Sequence, residues 1–371
     1  MKRRGLVITW AMLVAAQPAP VPQPEIAPPA PEAPLPEMAA PDEPAAIPTP
    51  PTAAPPTEPP PADELTSHRV VRGTPAPPGS APWQIQIVTT VPLAPSVLIA
   101  DKELPDTDRA KKFYEDMADW ERNHVCGGVL IDTDWALSAA HCFVNSKDRL
   151  ARLPMRAARM GNVDLAFATP MRIERVIIHG DYRRTGTKQH DIALIKLMRD
   201  PQTDPAIAAQ ARAVRLPAAD DVSMGDALRV TGWGNTGERE AGATRDVDNL
   251  PLRKSRALLE ARQQRVPNSE CAAVDSLKIT VNPGILCVVA GDRRVQDACQ
   301  GDSGGPLTRR GVLVGLVSGG EGCGTGKPAL YTNVAFYRDW IETAKTQSRP
   351  GMMARCLAVT RGGRTALTCR T

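Results

Sequence analysis

Cys299-Gln300-Gly301-Asp302-Ser303-Gly304-Gly305-Pro306 is the stretch that decides how this 371-residue chain is read. Glycines on both sides of Ser303 let the backbone bend tightly and present the hydroxyl. The same bend frees the N–H groups of Gly301 and Ser303 to converge on one point, where the oxyanion of a tetrahedral acyl intermediate would sit. Such donors typically lower a barrier by about 3 to 4 kcal/mol each. Alone, the motif is also compatible with a plain glycine-rich turn. A serine hydroxyl is a poor nucleophile near neutral pH, so chemistry here needs a base and a group to orient that base.

Upstream, Ala139-Ala140-His141-Cys142 offers a base and His190-Asp191-Ile192-Ala193-Leu194 a carboxylate, in the order His, Asp, Ser. Alternation along an extended segment puts His190 on the opposite face from Asp191, so it is expected at the surface. An esterase with a Gly-x-Ser-x-Gly elbow would need the order Ser, Asp, His and a parallel sheet, and neither is indicated. From Trp83 onward, short β-rich runs alternate with turn residues: Gln84 to Val88, Val129 to Ile131, Trp135 to Ala140, Met171 to Ile178, Ile192 to Leu197, Leu228 to Gly232, Gly311 to Val317 and Leu330 to Val334. This spacing predicts an all-β sandwich or barrel. Two segments read as helical. One is Asp106 to Asn123, where Phe113, Met117 and Trp120 recur at helical spacing as an insertion packed on the barrel wall; the other is Ala335 to Lys345.

Taken together, Leu137 to Cys142, Asp191 to Leu197, Val230-Thr231-Gly232-Trp233-Gly234 and Cys299 to Pro306 resemble the trypsin-like (chymotrypsin-fold) serine proteases, over residues 70–345. The resemblance implies an all-β fold of two packed antiparallel six-stranded Greek-key barrels with a C-terminal helix. His141 and Asp191 would sit on the first barrel, Ser303 on the second, and the cleft between them. His141 would take the proton of Ser303, Asp191 would hold the imidazole in the required tautomer, and the N–H groups of Gly301 and Ser303 would form the oxyanion hole. Ser318 matches the serine that supports the buried carboxylate, and Gly320 the backbone site that pairs with an extended substrate strand.

Asp297 stands where the family places the base of its primary pocket, which calls for Arg or Lys. A neutral side chain there would leave a buried charge unpaired, at a cost of several powers of ten in rate. Ala298 offers no hydroxyl to help hold a Lys ammonium, so Arg should be preferred. Ala329 replaces the usual pocket-wall Gly and narrows the pocket, and Gly319 replaces a Trp that usually walls the subsites beyond it. Cutting after Arg69 would expose Val70, whose ammonium would pair with Asp302, although Arg72 replaces one of the usual glycines. The family pattern pairs Cys126 with Cys142, Cys271 with Cys287, and Cys299 with Cys323. No Cys-x-x-Cys pair occurs and the family's calcium loop, at 161–169, lacks an acidic cluster, so no metal or cofactor is expected.

The rest of the chain divides by composition. A net charge of +4 is too balanced to indicate a nucleic-acid partner. Lys2, Arg3 and Arg4 followed by the apolar run Leu6 to Ala16 read as a signal peptide over residues 1–16, too short to span a bilayer, with the Arg pair leaving a twin-arginine route open. Residues 17–69 are rich in proline and acidic, and are expected to be an extended pro-segment or linker. The protease-like domain covers 70–345 and a basic tail 346–371. Export fits eight cysteines, an even number suited to disulfides in an oxidising compartment. The resulting expectation is a monomeric, secreted or periplasmic zymogen of a serine endopeptidase. It would cleave proteins or peptides after Arg and less readily Lys, and would be met by protease inhibitors. The competing class is a non-catalytic adhesive or binding protein on the same scaffold. Such proteins commonly lose a triad residue, and all three are kept here.

In the tail, Cys356-Leu-Ala-Val-Thr-Arg-Gly-Gly-Arg-Thr-Ala-Leu-Thr-Cys369 is nearly symmetrical about Gly362 and Gly363. Gly-Gly between β-formers predicts a two-residue hairpin turn. In that register Arg361 opposes Arg364, and Cys356 meets Cys369 at a close, non-hydrogen-bonded position suited to a disulfide. A two-stranded ribbon alone is marginal, so the bridge or docking must hold it. Its five Arg residues are expected to be solvated.

Overall fold

The computed structural model describes residues 71–105, 111–183, 188–198, 200, 207, 210–219, 222–237, 252–293, 295–361 and 363–370. The expected signal peptide, the Pro-rich segment, Arg69 and Val70 lie outside these residues.

Fifteen strands are described: β1 (Thr74–Pro75), β2 (Gln84–Thr89), β3 (His124–Leu130), β4 (Trp135–Ser138), β5 (Arg156–Met160), β6 (Thr169–His179), β7 (Ala193–Leu197), β8 (Ala227–Gly232), β9 (Leu259–Val266), β10 (Ile285–Ala290), β11 (Pro306–Arg309), β12 (Val312–Gly319), β13 (Ala329–Asn333), β14 (Met353–Arg361) and β15 (Arg364–Arg370). Strands β6-β5-β2-β3-β4-β7 pair in that order, and β7 returns to β6 to close one antiparallel barrel. Strands β9-β10-β13-β12-β11-β8 close a second through β8 and β9, with β1 added beside β9. Closure pairs most of the strand edges within each barrel. Ile85, Ile87, Met160 and Ile178 fill the first barrel, and Val230, Leu286, Leu307 and Tyr331 the second. The C-terminal helix Arg338–Gln347 buries Trp340, Ile341 and Ala344 against Leu137, Ile177 and Leu194 of the first barrel.

Polar groups tie the barrels together. Thr231 donates to the Gln84 side-chain oxygen at 2.7 Å, and the Gln84 amide returns a bond to the Thr231 carbonyl. Both side chains are buried, so each satisfies a group that would otherwise be costly to desolvate.

The insertion departs from expectation. In place of one helix over 106–123, a helix spans Pro95–Glu103, turns follow, and a single helical turn covers Asp119–Arg122; residues 106–110 are not described. Lys112 has φ +57°, a left-handed conformation that no α-helix passes through. Buried Asp101 instead ties down the turn by accepting the N–H groups of Tyr114 and Glu115. Met117 still buries its side chain, so the apolar spacing reflects packing without a continuous helix.

The tail forms the expected hairpin. Arg361 opposes Arg364, Cys356 opposes Cys369, and Gly363 has φ +76°. The Cα atoms of Cys356 and Cys369 lie 4.1 Å apart across a disulfide, as a close non-hydrogen-bonded pair requires. Docking holds the ribbon as well: Met353 to Cys356 pair in parallel with Val176 to His179 of β6. The expectation of five solvated arginines fails at Arg355, which is buried and ion-paired with Asp148 at 2.9 Å, because the parallel pairing draws that end of the ribbon into the body.

Candidate active site

His141 lies on a 3-10 turn, Ala140–Phe143, directly after β4, and the Cys126–Cys142 disulfide ties that turn to β3. Asp191 precedes β7 and is 2% exposed. Its Oδ2 is 2.8 Å from His141 Nδ1, and its Oδ1 accepts the His141 backbone N–H at 2.9 Å. Ser318, on β12 of the other barrel, donates to Oδ2 at 2.6 Å. Burial pushes the Asp191 carboxyl upward, but the charge and hydrogen bonds of His141, with the Ser318 hydroxyl, outweigh it and hold the group below its ordinary value. A carboxylate oriented this way fixes which imidazole nitrogen carries the proton.

The Ser303 loop reaches this pair by packing without clearance. The Gly127 N–H donates to the Ser303 carbonyl at 2.8 Å, and a Cβ on Gly127 would stand 2.9 Å from the Gly305 Cα. Gly304 has φ +77°, and a Cβ there would meet Ser138 Oγ at 2.2 Å. Glycines at these positions let the two barrels touch where the serine is presented. Among the described residues, the N–H groups of Gly301 and Ser303 have no acceptor, whereas those of Asp302, Gly304 and Gly305 do.

Behind the loop, His124 Nε2 donates to the Gly301 carbonyl at 2.9 Å while its Nδ1 accepts from Gln86. Burial lowers its pKa to about 3, helped by the Lys254 charge and opposed by the Gly301 bond, so the ring is a neutral strut. His124 was not singled out from sequence. Its closeness to Cys126 is the one local signal, and nothing nearby reveals a contact with Gly301.

Asp302 buries its carboxylate against the backbone, accepting Gly234 N–H at 2.7 Å and Cys299 N–H at 2.8 Å. A Cβ on Gly232 would fall 1.9 Å from its Oδ1, which explains the Gly-Trp-Gly sequence. Burial raises its pKa to about 6 against those two bonds. Asp297 is likewise raised to about 7 by burial, opposed by the N–H groups of Gly324 and Ala298 and assisted by Asp302. The backbone of Asp297 bonds to Val71, itself fully buried, so the chain just after Val70 runs beside it.

One cleft is lined by His141, Asp191 and Ser303 together with Asp297, Ala298, Ser318, Gly320 and Ala329. Lys188 and Tyr182 also line it and were not anticipated. Disulfides join Cys271 to Cys287 and Cys299 to Cys323, the latter beside Asp297. The sulfurs of Cys126 and Cys142 lie near His141, but bonded to each other they offer no thiolate to a metal. His190 departs from the surface position expected for it. It is half-buried, stacks on His179 at 4.7 Å and meets the Tyr337 hydroxyl at 3.1 Å, because its φ of +56° turns the ring inward.

A family model described as Trypsin matches residues 109–341, more than half of the chain. The hepatocyte growth factor activator serine protease of Mus musculus is 32% identical over 225 residues, covering 59% of this chain and 33% of its own length. Vitamin K-dependent protein C of Mus musculus is 33% identical over 291 residues, covering 76% of this chain and 53% of its own. The chain thus spans between about a third and a half of the length of these curated relatives. Among solved structures, neuropsin, a serine protease expressed in the limbic system of mouse brain, superposes with a TM-score of 0.52 at 25% identity, covering 74% of this chain and 98% of that one. The barrels, the site and these matches agree: the chain belongs to the trypsin-like serine protease family.

Proposed function

We propose that the protein is an exported serine endopeptidase, made as a zymogen, that cleaves peptide bonds after Arg and less readily Lys. The observation that carries this reading is the buried Asp191, bonded to both His141 and Ser318, in a cleft that also holds Ser303 and a carboxylate, Asp297. His141 removes the Ser303 proton as the hydroxyl oxygen attacks the scissile carbonyl carbon, and Asp191 stabilises the imidazolium. The oxyanion accepts the N–H groups of Gly301 and Ser303. The imidazolium then protonates the leaving amine, and water repeats the sequence to release the acid and restore the serine.

Asp297 carries the specificity. A carboxyl raised to about 7 by burial is ionised at little cost once a guanidinium is beside it, and the Ala298 and Ala329 side chains offer no polar alternative. Asp302 carries the activation step. Its buried carboxylate is held by two N–H groups, and the Val70 ammonium released by cutting after Arg69 would supply a positive charge to it. The four disulfides support folding in a secreted or periplasmic setting. The partners are Arg- or Lys-containing proteins and peptides, and protease inhibitors.

Incubation of the activated protein with an arginyl fluorophosphonate tests the reading. Stoichiometric labelling at Ser303 with loss of activity is expected, and an unlabelled Ser303 would contradict the reading.

A further inference from the structure

The C-terminal hairpin lies outside both barrels, yet it holds two loops that flank the cleft. Residues 180–183 are one of them: the Gly180 N–H donates to the Cys356 carbonyl at 2.8 Å, Arg370 donates to the Gly180 carbonyl at 2.7 Å, and Arg355 donates to the Tyr182 carbonyl. A Cβ on Gly180 would stand 2.5 Å from Leu357 Cγ, so β14 lies against this loop without clearance. The other is the short hairpin that leaves the turn carrying His141, closed by a bridge between Val144 and Leu150. Arg355 Nη2 donates to Asp148 there, to its carbonyl and to its Oδ1, both at 2.9 Å. Tyr182 packs in the first barrel and lines the cleft, whereas Asp297, Gly320 and Ala329 line it from the second. One buried guanidinium thus ties a wall of the cleft to the loop beside His141. The planar fork of arginine serves two acceptors at once, which the point charge of a lysine does not.

We propose that Arg355 is a positioning residue: by holding Tyr182 and the loop after His141 together, it sets the width of the cleft in which an extended peptide binds. The proposal rests on the endopeptidase reading above and adds to it a determinant of peptide affinity supplied by the C-terminal hairpin. A peptide that pairs on Gly320 with its basic side chain at Asp297 has the Tyr182 wall on the side of the first barrel. Freed from Arg355, that wall would have to be ordered by the peptide itself, and the ordering cost would be taken from binding. His141 is fixed separately, by its two bonds to Asp191 and by the Cys126–Cys142 disulfide, so the loss falls on KM and not on the chemical step.

The test compares two substrates of the activated protein: a tetrapeptide amide ending in Arg, and an acylated arginine ester with no residue before the Arg. Arg355→Gln should raise KM for the tetrapeptide about tenfold, with kcat and both constants for the ester within about twofold of the parent. Arg355→Lys should recover part of the lost affinity, since an ammonium still reaches one acceptor. Arg175→Gln serves as the control for a loosened tail. Buried Arg175 donates to the Ser348 carbonyl where the C-terminal helix ends, so its loss should lower the melting temperature and leave the tetrapeptide KM unchanged. Should Arg355→Gln not fold, Asp148→Asn carries the test: asparagine tolerates the φ of +62° at that position, and the same KM should rise about threefold. A tetrapeptide KM unmoved in the Arg355 and Asp148 variants, or raised as much in Arg175→Gln, would overturn the proposal and leave the endopeptidase reading intact. So would a loss confined to kcat, or one equal for both substrates. A parent protein that cleaves neither substrate, with Ser303 unlabelled, would instead remove the endopeptidase reading and this inference with it.

Discussion

Glu121 receives the guanidinium of Arg253 on both carboxylate oxygens, from Nε at 2.7 Å and Nη2 at 2.6 Å, and takes the Lys254 backbone N–H at 3.0 Å. This pins the end of the insertion to the segment that leads back into the second barrel. The Glu121 side chain is 1% exposed and that of Arg253 49%. Removing the arginine strands a buried carboxylate, but solvent already screens half of the pair. Arg253→Ala is therefore expected to cost about 1 to 2 kcal/mol, below the full penalty for breaking a buried ion pair. Denaturant unfolding checks this; an unshifted midpoint would mean that the arginine contributes nothing.

Ser303→Ala deletes one hydroxyl from a turn whose shape is set by glycines and by backbone bonds to Gly127. Amidase turnover should fall by about 10⁵-fold or more with the melting temperature unchanged. Turnover near that of the parent protein would end the nucleophile assignment.

The pH dependence of cationic ligand binding follows from Asp297, whose carboxyl is raised to about 7 by burial. A cation binds the ionised form, so benzamidine should bind more tightly as pH rises through about 7 and then level off. At pH 6, calorimetry in buffers of different ionisation enthalpy should show a proton released on binding. Binding that is flat from pH 5 to 8 would separate Asp297 from the ligand.

Asp302 makes activation a pH-dependent stability change. In the uncut chain its carboxyl is raised to about 6, so its contribution to stability is complete at low pH and is lost as pH rises through about 6. After cleavage at Arg69 the Val70 ammonium offsets that loss, so cut protein should melt higher than uncut protein above about pH 6. The difference should vanish in alkali, as the ammonium, with an ordinary value near 8, passes its raised pKa. Arg69→Gln should stay latent, and active protein should begin at Val70; full activity from a chain beginning at Gln17 would contradict the scheme.

For the hairpin, replacing Cys356 and Cys369 together by Ser should cost about 3 kcal/mol, the loop entropy of a short closed ring. Hydrogen exchange should accelerate at Ala354 and Cys356, whose strand docks on β6. Non-reducing peptide mapping of the parent chain should recover the two cysteines as one linked pair.

What was legible in the sequence was what local chemistry dictates. Ser303, His141 and Asp191 stand in short motifs, and Gly362-Gly363 sits at the centre of a symmetrical pattern that fixes its own register. Strand β9 was missed because its inward positions include Gln263 and Arg265, polar residues made tolerable by bonds to the carbonyls of Gln296 and Cys287. The helix over 106–123 was misread because helical spacing says nothing of a left-handed residue at Lys112. Lys188 on Gly319 and β14 on β6 escaped for a different reason: each joins segments far apart in the chain, where no local pattern records the meeting.

The docking of β14 has a consequence for the order in which the molecule can be completed. One edge of β6 is taken by β7 over Ile173 to Ile178, and β5 covers the other only as far as Arg172. Val176 to His179 on that second edge are left for β14, which leaves the ribosome after every strand of both barrels. The barrel made first thus waits for a strand made after both barrels, and until then that stretch of β6 carries an open row of backbone donors and acceptors. A nascent chain must be kept from its neighbours through that interval, and one that stops at the C-terminal helix would carry a sticky edge for its whole lifetime.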